Sequence, residues 1–287
     1  MHKRDPDVGV VLVNVLVIIA LASAMVYLML ESEDVSLDRV ARLADATQVE
    51  FLALGAEASV LDALRQDLNE HPDEDHFAEP WTSVIQQETV LSTGRFSVAV
   101  TDVQGKYDIN FLSGTGLGPV EVLARLLAAT DQPVELAPRL AALVRRVYPV
   151  GDLQDLASFG VAKPVLDALA PYVTAYPAPG TVNLNSADPV LLEAMLNNRS
   201  IALRLVSART RKGFITREDL VSAGGLRPEN SGWTSNTFDV AVLAEVGRAR
   251  LQLETRILRF QGLDTKSIGI VSRRIVTDDV PQETLGN

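Results

Sequence analysis

The chain contains no cysteine, which excludes disulfide staples and thiolate metal sites. It has only three histidines, His2, His71 and His76, and no Ser/His/Asp arrangement is legible around them. An enzyme built on a histidine base is disfavoured, and the expected role is non-catalytic. Positive charge is also scarce, with 26 Lys and Arg against 37 Asp and Glu, a net charge of -11 at pH 7. Such a field opposes approach to phosphate backbones, so nucleic acid is a disfavoured partner. One absence is local: between Val10 and Leu30 there is no charged side chain, and only Asn14, Ser23 and Tyr27 interrupt the apolar run.

A helix over that run is about 30 Å long, the thickness of a bilayer's hydrocarbon core. Lys3 and Arg4 precede it, while Glu31, Glu33, Asp34 and Asp38 follow. The positive-inside rule therefore predicts a single-pass membrane anchor with the remaining chain outside the cytoplasm. Three readings of the first thirty residues stay open. Ala22-Ser23-Ala24 has the small-x-small form of a signal-peptidase site, although Met25 to Leu30 prolongs the apolar run beyond it. The segment also serves as an uncleaved anchor. The favoured reading is a leader ending at Gly9, before the apolar run, whose removal leaves Val10 at the head of the anchoring helix.

Beyond the span, Val40, Ala44, Thr47, Phe51, Leu54, Ala58, Leu61 and Leu68 recur at three- and four-residue spacing. This predicts one amphipathic helix that continues the anchor and packs its apolar face on a domain or on partner helices. Pro72 ends the pattern. The following stretch, His71 to Pro80, is acidic and contains two histidines. It imitates the start of a calcium loop at Asp73 and Asp75, but Phe77 and Ala78 stand where a ligand and a glycine are needed, so a solvated loop without metal is expected.

Alternation then replaces the helical period. Phe96, Val98 and Val100 point one way, as do Phe238, Val240, Val242, Ala244 and Val246, then Leu251, Leu253, Thr255 and Ile257, with Ile268 and Ile270 after them. Ser92-Thr93-Gly94, Gly247 and Gln261-Gly262 supply turns. Early and late strands around a helical middle imply an α+β fold interrupted by an all-α insertion. Within the insertion, Pro119 opens one helix and Val134 to Val147 forms a second. Asp152 to Val173 and Thr181 to Lys212 have the form of helix-hairpin-helix (SAM-like) units, with Gly213 ending a helix and Thr216 with Asp219 capping the next. Such units often hold DNA through glycine-rich hairpins. Asn197-Asn198-Arg199-Ser200-Ile201 has no glycine, although Arg199, Arg204, Arg209, Arg211, Lys212 and Arg217 make a basic cluster. A membrane-anchored DNA receptor of competence type is the alternative that these features keep in view.

Taken in order, the leader ending at Gly9, the glutamate-free apolar helix, VTDVQGKYDINFL (Val100 to Leu112), PYVTAYP (Pro171 to Pro177), VNLNSAD and GFITREDL (Gly213 to Leu220) resemble the minor pseudopilin K family of the type II (general) secretion pathway. The resemblance implies a pilin-like long N-terminal helix with an antiparallel sheet and a large helical insertion. It divides the chain into a prepilin leader (1–9), a transmembrane helix (10–30), a pilin-like α+β domain (31–112 and 234–277), a helical insertion (113–233) and a tail (278–287). It further implies processing and N-methylation at Gly9 and Val10 by prepilin peptidase. The implied partners are minor pseudopilins I and J and the major pseudopilin, at the tip of a pseudopilus. Most pilin-like proteins carry Glu at the fifth mature position; here Asn14 stands there, either as the mark of a tip subunit with no neighbour's amine to neutralise or as a hydrogen-bonding residue between helices. Calcium is known in the family, but its acidic loop is missing where Arg145 to Val150 run directly to Asp152, so no cofactor is expected.

Overall fold

The structure is a computed structural model that describes residues 7–176, 180–261 and 265–276. One helix, α1 (Asp7–Glu70), opens it. An α+β head follows in the order β1 (Gln86–Leu91), β2 (Gly94–Asp102), β3 (Tyr107–Asp108), α2 (Gly118–Ala129), α3 (Leu136–Val147), α4 (Lys163–Leu169), β4 (Val173–Thr174), β5 (Val182–Asn183), α5 (Pro189–Leu196), α6 (Arg199–Lys212), α7 (Arg217–Ser222), β6 (Ser231–Gly232), β7 (Thr237–Val246), β8 (Ala249–Gln261) and β9 (Lys266–Val276). Single 3-10 turns precede or join several of these elements. The expected tail and most of the expected leader lie outside the described residues.

Five strands form one antiparallel sheet in the order β1-β2-β7-β8-β9. Neighbours β2 and β7 pair in register from Arg95 with Glu245 to Asp102 with Phe238, although the whole helical insertion lies between them in sequence. Gly247 occupies the two-residue turn from β7 to β8 with φ +54, a conformation that favours glycine. The alternation predicted for β7 holds throughout, with Phe238, Val240, Val242, Ala244 and Val246 all buried.

Two apolar cores result. One lies between α1 and the sheet, where Val49, Ala53, Ala56, Val60 and Leu64 meet Val98, Val240, Val242 and Ile257. The second fills the helical insertion around Leu123, Leu126, Leu140, Leu156, Leu166, Leu192 and Leu205. Helix α5 ends at Asn197, which takes the left-handed conformation (φ 50) that a glycine would otherwise supply, and the Asn198 side chain then caps α6 by accepting from the Ile201 N–H at 3.1 Å. Gly213 (φ +89) ends α6, and Thr216 with Asp219 forms a capping box at α7, as their sequence positions predict.

Candidate functional site

The candidate functional surface lies on α1, which runs without a proline for about 96 Å. Every described residue from Val13 to Glu33 is exposed, including Asn14, so this apolar stretch has no cover among the described residues. Gly9 and Val10 fall in its first turns as backbone. The second half packs on the sheet, but through a different face from the one the spacing selects. Val40, Ala44, Thr47, Phe51 and Ala58 are exposed, Phe51 by 70%, while Leu54 and Leu61 are half-buried at the edge of the core. The packed face is Val49, Ala53, Ala56, Val60 and Leu64, roughly half a turn round the helix.

The stripe is therefore not covered by this sheet, which leaves partner helices as its expected cover, and two carboxylates account for the face that does pack. Glu57 and Asp67 sit on the packed side, where a sequence reading treats charge as the mark of solvent, yet both are buried. Glu57 accepts from Thr255 Oγ1 of β8 and from the Arg273 guanidinium of β9 (Nε at 3.1 Å). Asp67 Oδ2 accepts from Arg259 Nη1 of β8 at 2.8 Å. Near the middle of the helix, Arg248 in the β7–β8 turn donates to Asp38 (2.9 Å) and, through its backbone N–H, to Asp45 (3.2 Å). Ala53 and Ala56 are small enough to let the helix approach the sheet between these ties.

The motifs that carry the family resemblance meet at the joint between sheet and insertion. Asp102, at the end of β2, accepts from the Gln104 N–H (2.9 Å), from Asn183 Nδ2 (3.1 Å) and from Ser235 Oγ (2.5 Å). Asn183 Nδ2 also donates to the Asp75 carbonyl at 3.0 Å. Asn110 exchanges hydrogen bonds with Val150, donating to its carbonyl at 3.0 Å and accepting from its N–H at 2.9 Å, and Asn185 Oδ1 accepts from the Ile215 N–H at 2.6 Å. Two short parallel pairs, β3 with β4 and β5 with β6, flank this network. These polar residues hold the fold together at its joint; a buried polar group is retained there because its partners satisfy it.

The acidic stretch from His71 to Pro80 corrects a second expectation. It is not simply a solvated loop: Asp75, His76 and Glu79 are buried. Asp75 pairs with the Arg259 guanidinium and accepts from the Ser235 N–H (2.7 Å), His76 stacks on Phe214 with ring centroids 4.5 Å apart, and Glu79 Oε2 accepts from the His76 N–H (2.7 Å) and from Trp81 Nε1 (3.1 Å). Burial pushes the Asp67 carboxyl up to about 7 and holds those of Glu79 and Asp102 above the usual carboxylate range, while it holds the His76 imidazole below its ordinary value.

The basic cluster on α6 is partly spent inside the fold. Arg209 Nη1 donates to the Asn185 and Ala187 carbonyls (2.9 and 2.7 Å), Arg204 donates to the Ala223 carbonyl (2.7 Å), and Lys212 pairs with Asp219 at 2.5 Å. Arg204 and Arg209 thus satisfy backbone carbonyls and Lys212 a carboxylate within the fold. Between α3 and Asp152 the chain offers Tyr148, Pro149, Val150 and Gly151, and the Asp152 carboxylate accepts from the Gln154 N–H at 2.8 Å.

Comparison with known proteins agrees with the order of the motifs. Residues 182–241, which contain Asn183, Asn185, the α7 capping box and Ser235, match the family described as Type II secretion system (T2SS), protein K. Type II secretion system protein K of Klebsiella pneumoniae is 25% identical over 93% of this chain and 95% of that protein. The protein of the same description from Pseudomonas aeruginosa PAO1 is 24% identical over 97% and 96% respectively. A chain in the solved GspK-GspI-GspJ complex of the enterotoxigenic Escherichia coli type 2 secretion system superposes with a TM-score of 0.61 over 83% of this chain and 99% of that one, at 18% identity. That likeness establishes the shared fold: a long N-terminal helix, an antiparallel sheet and a helical insertion.

Proposed function

We propose that this chain is a minor pseudopilin of a type II secretion system, similar to protein K, acting as an assembly component and not as an enzyme. The observation that carries the reading is α1. Its residues 13–30 are uncharged, largely apolar and exposed, suited to a membrane or to other apolar helices, and its second half is fixed to an α+β head. Similarity along 93% and 97% of the chain to two proteins described as type II secretion system protein K supports the same reading.

The finer mechanism is mechanical. Prepilin peptidase removes residues 1–9 and methylates Val10, leaving the helix embedded in the inner membrane with the head in the periplasm. The exposed apolar stripe Val40, Ala44, Thr47, Phe51 and Ala58 then meets the helices of minor pseudopilins I and J. The insertion widens the head beyond what a stacked subunit tolerates, so the complex occupies the tip of the pseudopilus and primes growth of the major pseudopilin below it. Neutral Asn14 suits that position, since a tip subunit has no further neighbour to pair with a buried carboxylate.

The test is co-expression with a prepilin peptidase followed by intact-mass analysis of the membrane fraction. The expected product lacks residues 1–9 and carries one added methyl group, and Gly9→Ala markedly impairs its formation. An unchanged mass, or a product that begins at Met25 and leaves the membrane, overturns the proposal.

A further inference from the structure

At the base of α1 three potential metal ligands converge, and two of them hold unused oxygens. One donor atom from each of Asp67, His71 and Glu79 lies within 4.8 Å of the other two. Asp67 Oδ1 and Glu79 Oε1 are buried without a hydrogen-bond partner, in residues only 3% and 5% exposed. Leaving a carboxylate oxygen buried and unpaired costs free energy that a folded chain rarely tolerates without a partner. The second oxygen of each carboxylate is already held, Asp67 Oδ2 by Arg259 at 2.8 Å and Glu79 Oε2 by the His76 N–H at 2.7 Å and Trp81 Nε1 at 3.1 Å. That arrangement orients each free oxygen, as outer hydrogen bonds do for the ligands of metal sites.

Charge points the same way. Asp67, Asp75 and Glu79 are three buried carboxylates, and Arg259 is the buried cation that pairs with the first two. Buried carboxyls thus outnumber the buried cation that faces them, and a bound cation would offset the excess. His71 Nδ1 stands 3.7 Å from Asp67 Oδ1, and its side chain is 45% exposed. A groove lined by Ala63, Gln66, Glu70, His71 and Trp81 leads to it from solvent.

We propose that Asp67, His71 and Glu79 form a binding site for one divalent transition-metal cation of the Zn2+ type, closing the stem helix onto the 71–80 segment. An imidazole with two monodentate carboxylates suits Zn2+, which takes four nitrogen or oxygen ligands with water in the last position. It suits Ca2+ poorly, because that ion demands six to eight oxygens. The absence of cysteine leaves few competing zinc ligands on the chain.

The experiment uses the full chain in detergent, stripped with chelator and titrated with Zn2+, with Ca2+ in parallel, while bound metal and thermal unfolding are followed. One equivalent of Zn2+ should bind and raise the unfolding temperature, and both His71→Ala and Glu79→Gln should weaken binding at least tenfold. Should Glu79→Gln fail to fold, His71→Ala decides alone, because His71 is half-exposed at the end of the helix. Stoichiometric Zn2+ binding that survives His71→Ala, no binding at all, or tighter binding of Ca2+ than of Zn2+ overturns the assignment.

Discussion

Asp108 is 3% exposed, and its Oδ1 accepts from both the N–H and the Nδ2 of Asn110, at 2.9 and 3.0 Å. Burial nevertheless dominates and pushes its carboxyl from the ordinary aspartate value of about 4 up to about 6. A folded carboxyl raised in this way holds a proton that the unfolded chain has already released. Its contribution is therefore present in full below pH 4 and is lost as pH rises through 6. Asp108→Asn keeps an acceptor for Asn110 and removes the titration. Relative to the parent chain the variant should gain stability between pH 4 and pH 7, by on the order of 3 kcal/mol. Urea unfolding at the two pH values measures it; a pH-independent difference counts against the account. At this scale the sequence is most readable where the chemistry is local, as in Gly213 ending α6 and Thr216 with Asp219 capping α7. It is opaque at Asp67, whose partner Arg259 lies 192 positions away and whose burial no neighbouring residue announces.

The choice of face on α1 belongs to the scale of elements. Both sides of the helix between Val40 and Leu64 carry apolar residues, so spacing predicts its length and amphipathic character but not which side meets the sheet. Alanines decide it by allowing close approach, and the ion pairs of Glu57 and Asp67 admit charge to the packed face. Two substitutions separate the faces. Ala53→Leu overfills the helix–sheet contact and should lower stability by about 1–3 kcal/mol in denaturant titrations. Phe51→Glu on the opposite face should leave stability within about 0.5 kcal/mol while, on the proposed function, reducing co-purification with minor pseudopilins I and J. A large loss of stability for Phe51→Glu returns that face to the fold and removes it from assembly. The strands were more legible than the helix face because alternation has a period of two and leaves only one inward set, as Phe238 to Val246 illustrate.

Over the whole molecule, the order of elements follows from pattern and turn chemistry, whereas the tie between its two cores depends on contacts that no local pattern encodes. The chain leaves the sheet at Asp102 and returns at Ser235, whose side chains are hydrogen-bonded at 2.5 Å. The insertion between them has its own apolar core. Replacing residues 104–234 with a short Gly/Ser bridge should therefore retain the β2–β7 pairing and a cooperative sheet transition by circular dichroism, with reduced stability from the lost joint. Loss of strand signal altogether indicates that the sheet depends on the insertion to form.

The unbroken course of α1 has a mechanical consequence. A rod clamped to its load at Asp38, Glu57 and Asp67, and helical without interruption from Asp7 to Glu70, converts axial displacement at one end into equal travel at the other. Pushing from below would lift the head as a piston lifts its crown, with little of the stroke lost to bending.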